Sequence, residues 1–150
     1  MIEIKPIRVT DYLDIAEKLT QAHWQECEAG IVPEGLRLNK ALIAALDAAG
    51  AALTMGVFNN ELLVGYSLTL VAPHLHYDMV NAHCDSIFLM RPYRHGGLGH
   101  ELVMRTAEEA KARGAHSVSF NAKPGSAFEK LLRRITGSNT PEDTVWTWRL

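Results

Sequence analysis

Cysteine is scarce in this 150-residue chain: Cys27 and Cys84 are the whole supply. Two cysteines build neither a disulfide framework nor the paired spacing of a zinc site. No run of about 18 apolar residues occurs, so nothing in the sequence reads as a membrane span. The opening MIEIKPIRVTDY carries acids early and lacks an apolar stretch, so it does not read as a signal peptide. Excess charge is also missing. A net charge of −2 and a pI near 6.4 argue against a dedicated nucleic-acid binder, which needs surplus Lys and Arg. Pro (6) and Gly (11) are too few for a collagen-like or low-complexity chain. What is present is ordinary globular material, 47% hydrophobic and 21% charged, at a length that fits one domain over residues 1–150. The expectation is a soluble, cytoplasmic, single-domain protein.

The charge that exists is uneven. Residues 1–84 hold five Lys/Arg against ten Asp/Glu, and residues 85–150 hold ten against seven. The basic second half suits a small anionic ligand, although chance asymmetry between two solvated faces gives the same count.

Periodicity predicts the elements. Ile2, Ile4, Ile7 and Val9 make a short edge strand that tolerates Pro6. A helix follows from Thr10 or Asp11, either a suitable cap, to about Glu28. Gly30 to Pro33 breaks the chain, and a second helix runs from Glu34 to Ala49. Strands over 52–58 and 61–71 join at Asn59-Asn60, with Gly65 marking a bulge. A further strand covers 81–90, a helix opens at Leu98 and stops at Gly114, and a strand covers 115–121. A short helix over 126–135 and a last strand over 144–150, with Trp146 and Trp148 on one face, complete the chain. Those two tryptophans read as core, or else as a dimer interface. Trp24, on the first helix, reads as core or dimer contact before it reads as a substrate reader. The order is mixed α/β.

The segment with chemistry in it is Arg94-His95-Gly96-Gly97-Leu98-Gly99 at a strand-to-helix junction. A glycine-rich turn at a helix N-terminus exposes unpaired N–H groups, and these, with the positive end of the helix dipole, bind phosphate oxygens. Gly96, Gly97 and Gly99 leave room for a ligand, while Arg94 and His95 add positive charge. The dinucleotide fingerprint and the Walker A loop both need patterns that are absent here.

This motif resembles the Arg/Gln-x-x-Gly-x-Gly/Ala signature of the GCN5-related N-acetyltransferases (GNAT), and the element order is similar over most of the chain. The resemblance implies a central, mainly antiparallel, twisted sheet of six to seven strands flanked by about four helices. It implies acetyl-CoA as co-substrate, the backbone of His95 to Gly99 around its pyrophosphate, and the main chain of Phe88, Leu89 and Met90 beside its pantetheine arm. Asn121 resembles a family asparagine near the cofactor. The reaction implied is direct acetyl transfer to an amine on a small molecule or a peptide. His83 and Asp85 stand where family bases stand, and strict alternation would place His83, Asp85, Ile87 and Leu89 on one face of the strand. Imidazole titrates near operating pH, whereas Asp85 would need a raised pKa or would act by orienting His83.

One departure stands out. The family's tyrosine near the last helix, which protonates the departing thiolate, has no counterpart, since Tyr12, Tyr66, Tyr77 and Tyr93 all precede that region. A module that binds acyl-CoA without turnover, or a structural domain that keeps the fold alone, are therefore the competing readings. His74, His76, Tyr77, Asp78, His83 and Asp85 cluster in sequence but lack metal-ligand spacing, so no metal is expected.

Overall fold

The computed structural model describes residues 1–31 and 35–149. These fall into two compact units, one spanning Met1–Phe120 and one beginning at Asn121. The first contains a five-stranded sheet in the order β1 (Ile2–Ile7), β2 (Ala52–Asn59), β3 (Leu62–Pro73), β4 (Val80–Leu89) and β5 (Ala115–Phe120). Neighbours pair antiparallel except β4 and β5, which are parallel. A parallel pair needs a long crossover, which α3 (Leu98–Ala112) supplies.

The two sheet faces carry separate cores. On one, Leu19 and Ala22 of α1 (Leu13–Cys27) meet Phe58, Leu63, Tyr66 and Phe88. On the other, Leu98 and Leu102 of α3 meet Met55, Val57, Val64 and Leu89. Covered on both faces, β2 is buried from Ala52 through Phe58. Each fully buried aliphatic side chain there, Leu53 and Val57 among them, contributes about 1.5–3 kcal/mol. Inside the second core, Thr106 Oγ1 donates to the Leu102 carbonyl at 2.7 Å and so accepts from Ser67 Oγ at 2.6 Å, leaving neither hydroxyl unsatisfied.

Several expectations need correction. The sheet has five strands rather than six or seven, and among the described residues 144–149 form no strand. Trp146 and Trp148 are 90% and 87% exposed, so they are not core. The second helix, α2 (Lys40–Ala48), starts later than predicted, with Asn39 Oδ1 accepting from Leu42 N at 3.1 Å. The predicted start at Glu34, Pro33 in the break, and the strand end at Leu150 lie outside the described residues. Neither Thr10 nor Asp11 caps α1. Both sit in a 3-10 turn, Val9–Tyr12, where Thr10 Oγ1 donates to Asp47 Oδ2 at 2.9 Å instead.

The predicted bulge beside Gly65 exists. Val57 faces Gly65 while Phe58 faces Leu63, so Val64 is the extra residue. Gly65 is required for a different reason: a Cβ there would stand 2.9 Å from the Phe88 carbonyl oxygen and 2.7 Å from Leu89 Cδ1.

The second unit holds α4 (Ala127–Thr136). Ser126 caps it by accepting from Glu129 N, and Glu129 reaches back to Gly125 N at 2.6 Å, a reciprocal arrangement that satisfies two donors. Gly137, left-handed at φ 69°, ends the helix. Asn121 lies in this unit, one residue past the end of β5.

Candidate active site

β4 changes character along its length. From Val80 to Cys84 it pairs with β3 on one edge and β5 on the other. After Cys84↔Phe120 the β5 pairing stops, so residues 85–89 keep β3 alone. At the same point Leu68 faces Ser86 while Thr69 faces Cys84, which leaves Asp85 as a bulged, exposed residue with no partner on β3.

That extra residue reverses the side-chain alternation. His83 pairs with Leu70 and Ser86 with Leu68, so both share the α1 face with Phe88. Cys84 falls on the α3 face with Ile87 and Leu89. Strict alternation, with His83, Asp85, Ile87 and Leu89 together, therefore does not hold. His83 Nδ1 lies 2.9 Å from Ser119 Oγ on β5, in the fully paired half, while Asp85 stands where the two strands have parted. Cys84 is buried as predicted, and burial pushes its thiol pKa up to about 11, which leaves it a neutral packing group.

The unpaired half of β4 offers backbone groups to a ligand. Met90 N donates to the Val64 carbonyl at 2.9 Å, which turns the polar groups of Met90, and by alternation Phe88, toward β3. Those of Ile87 and Leu89 face the free edge. Leu89 O is already taken by Arg94 Nε at 2.6 Å, so Leu89 N–H and both Ile87 groups remain for an extended ligand. Ile87 was not among the residues picked out from the sequence; only the register reveals it.

The strand then runs into the glycine turn. Gly96 and Gly97 both have positive φ, 63° and 83°, and a Cβ on either would meet nothing within 4 Å, so the turn is left-handed and open. Gly97 is the N-cap of α3 and no side chain caps the helix; Leu98 N donates to the His95 carbonyl at 3.3 Å, so the N–H groups of Gly99 and His100 are left to point outward as an anion cradle. His95, Gly96 and Gly97 are exposed and Leu98 is half-buried. The turn is anchored from behind: Tyr93 Oη accepts from Asn59 Nδ2 at 3.2 Å, and Arg94 makes a forked pair with Glu26, at 2.6 and 3.0 Å, while lying over the Phe88 ring. The Arg94 hydrogen bonds hold the Glu26 carboxyl pKa below its ordinary value. Arg94 thus clamps the turn to α1, and its charge is largely spent there.

Sequence reasoning also missed a polar cluster on the α1 face. His23 Nδ1 lies 2.8 Å from Tyr66 Oη, and the His23 ring stacks on Phe88 at 4.8 Å. Burial raises the Tyr66 phenol pKa, with the Ser86 hydroxyl pulling the other way. His74 packs tilted against His76 and Tyr77 and its Nδ1 accepts from His76 N at 3.1 Å, and among the described residues no three His, Cys, Asp or Glu groups converge as a metal would require. No helix among the described residues is long and apolar enough to cross a membrane.

The parted parallel strand pair leads directly into an open helix N-terminus, an arrangement whose backbone donors can take an extended anionic ligand. The sequence pattern of the Acetyltransferase (GNAT) family matches residues 11–131, and the chain belongs to that family, an acetyltransferase class of enzyme. Among solved structures, it is similar to a ribosomal-protein-alanine N-acetyltransferase from Brucella melitensis biovar Abortus 2308, with 17% identity, TM-score 0.75, and 100% and 99% of the two chains covered. An aminoglycoside acetyltransferase from an uncultured soil metagenomic sample, in complex with sisomicin, is similar at 12% identity and TM-score 0.77, covering 99% and 95%. The aminoglycoside N-acetyltransferase AAC(6')-Iy in complex with CoA is similar at 11% identity and TM-score 0.73, covering 99% and 95%. At these identities the likeness is one of fold. No curated protein sequence matches this chain.

Proposed function

We propose that this chain acts as one domain that transfers the acetyl group of acetyl-CoA to the amine of a small molecule or a peptide end. The observation that carries the reading is the unpaired edge of β4 over 85–89, continuous with the left-handed Gly96-Gly97 turn. Leu89 N–H and the Ile87 backbone would bind the pantetheine arm as an added strand, an interaction indifferent to side chains. The N–H groups of His95, Gly96, Gly97 and Gly99 would hold the pyrophosphate, that of Leu98 being bonded to the His95 carbonyl; Asn121, a cofactor residue by resemblance, begins the second unit. The CoA bound by one similar structure, and the sisomicin and ribosomal protein substrate named for others, support this substrate class.

When bound, acetyl-CoA supplies an activated acyl group; this chain must supply orientation, exclusion of water and a route for the proton lost by the amine. Asp85 and His83 are the β4 candidates for meeting and orienting the amine. Asp85, exposed at the bulge in the parted half, would meet a cationic acceptor, which the acidic first half of the sequence also favours. His83 sits in the paired half against Ser119. The protein would work in the cytoplasm, and a second copy would meet it at the exposed Trp146 and Trp148.

Calorimetric titration with acetyl-CoA tests the reading. Micromolar binding, lost in the Gly97→Glu/Gly99→Glu double variant, is the expected result. At 100-fold excess over Kd, acetyl-CoA should add about 2.7 kcal/mol of stability. Asp85→Asn should cut amine-dependent thiol release more than His83→Ala, with affinity for acetyl-CoA retained in both. Binding without thiol release to any amine would mark a non-catalytic acyl-CoA holder, and no binding at all would leave only the fold.

A further inference from the structure

Tyr66 is 7% exposed, yet its hydroxyl is not lost in the core. It lies 2.8 Å from His23 Nδ1, and Ser86 shares its face of the sheet, two residues along β4 from Phe88, which pairs with Tyr66. Ser86 is the first residue after the Asp85 bulge, in the half of β4 that β5 has left. A chain of three hydrogen-bonding groups from three elements, α1, β3 and β4, therefore runs from the candidate site into the α1 core. Resting on the acetyl-transfer reading above, we propose that Ser86, Tyr66 and His23 form a proton path, with His23 Nδ1 as the acceptor at its inner end.

The balance of the step is simple. Attack by the amine forms the C–N bond and leaves a surplus proton on nitrogen. Ser86 Oγ accepts that proton as its own passes to Tyr66 Oη, and the tyrosine's passes to His23 Nδ1. The C–S electron pair leaves with the CoA sulfur as thiolate, which takes a proton from water, and His23 returns its proton to solvent. The net reaction is amine plus thioester to amide plus thiol.

The surroundings suit a histidine in this role. The groups around the chain are Cys27 and Glu26 on α1, Tyr66 on β3, Cys84 and Asp85 on β4, and Arg94 over the Phe88 ring. Burial keeps Tyr66 and Cys84 protonated at neutral pH, and Glu26 neutralises Arg94. Arg91 also pairs with Glu26, at 3.5 Å, so the two arginines balance Glu26 and Asp85, and imidazole is the group type here that ordinarily titrates near pH 6.5. Stacking on Phe88 fixes the ring so that Nδ1 meets the phenol.

Two measurements on the full chain test the path. In the protein saturated with acetyl-CoA, 15N NMR of the imidazoles should show neutral His23 protonated at Nε2, with a titration midpoint that moves in Tyr66→Phe and in Ser86→Ala. An Nδ1–H tautomer at neutral pH, or a midpoint unmoved by both substitutions, overturns the proposal, and this arm needs no acceptor amine. Thiol release is then followed against pH with sisomicin, with a peptide beginning in alanine, and with water as acceptor. His23→Asn keeps an acceptor oxygen for the Tyr66 hydroxyl but cannot store a proton. It should lower kcat about 100-fold, the scale of a lost general base, and remove the acidic limb of the kcat profile, with KM for acetyl-CoA within about twofold of wild type. Wild-type kcat and an unchanged acidic limb in His23→Asn and Tyr66→Phe would overturn it. A wild-type protein that fails to bind acetyl-CoA would instead sink the acetyl-transfer reading itself.

Discussion

The two halves of β4 are built from one strand and differ in what they face. Over Val80–Cys84 the backbone is used on both edges, and the side chains that meet across β4 and β5, His83 with Ser119 and Asn81 with Ser117, tie strand to strand. Over 85–89 the outer edge is open, the bulge at Asp85 reverses the faces, and a buried tyrosine and a half-buried histidine stand behind. A paired backbone is structure, and an unpaired one must be satisfied by something else. The contrast leaves the second half open to the proposed ligand, while the first half ties the sheet together.

The largest break in that contrast should come from Gly65→Ala. The added methyl would press on the Phe88 carbonyl and on Leu89, and backbone cannot rotate away as a side-chain tip can. Overpacking of this kind costs about 1–3 kcal/mol. Urea denaturation should show that loss, and because the displaced segment is the open half, affinity for acetyl-CoA should fall about tenfold with it. Loss of stability at unchanged affinity would mean that the open half is not where the ligand lies.

Much of the site was legible because its signals are local. The glycine turn, the helix it opens and the buried Cys84 all follow from residues within a few positions of one another, and Gly65 was correctly read as the neighbour of a bulge. The bulge at Asp85 was not legible, because it is defined by register against β3 rather than by any residue type in β4. The same limit hid Ile87, whose free edge depends on where β5 stops, and the His23–Tyr66 contact, which joins positions 43 apart. The predicted last strand failed in the opposite way: Val145, Trp146 and Trp148 have strand-like composition, but a strand exists only with a partner, and 144–149 have none among the described residues.

A smaller effect is expected at Glu26, which holds the turn from behind. Its pKa is lowered in the folded protein, chiefly by the Arg94 hydrogen bonds and then by the charges of Arg94 and Arg91. A depressed carboxyl contributes stability at pH above its ordinary value and loses it as pH falls through the lowered folded value. The pair is partly exposed, with side chains 38% and 25% accessible, so solvent screening limits it to roughly 1 kcal/mol. Glu26→Gln should therefore be less stable than wild type by about that amount at pH 7, with the gap closing as acid protonates the wild-type carboxyl. Chemical denaturation at a series of pH values reads this directly. A constant gap across that range would show that Arg94 is held by something other than charge.

The smallest effect should come from Ser119→Ala, paired with Ser86→Ala. Both remove one hydroxyl: Ser86 sits on the α1 face of β4, and Ser119 faces His83 of that same β4 face from across the paired edge. Ser119 is exposed and its bond to His83 joins two solvent-accessible groups, so its loss should stay within about 0.5 kcal/mol of wild type. If the paired half is purely structural, Ser119→Ala will leave thiol release and acetyl-CoA affinity unchanged, while Ser86→Ala lowers kcat by breaking the path to His23. Equal losses of kcat in the two variants would instead bring His83 into the reaction, because Ser119 is the partner that fixes its ring. The division of β4 into a structural half and a reacting half would then give way to a site that extends across the last paired residues.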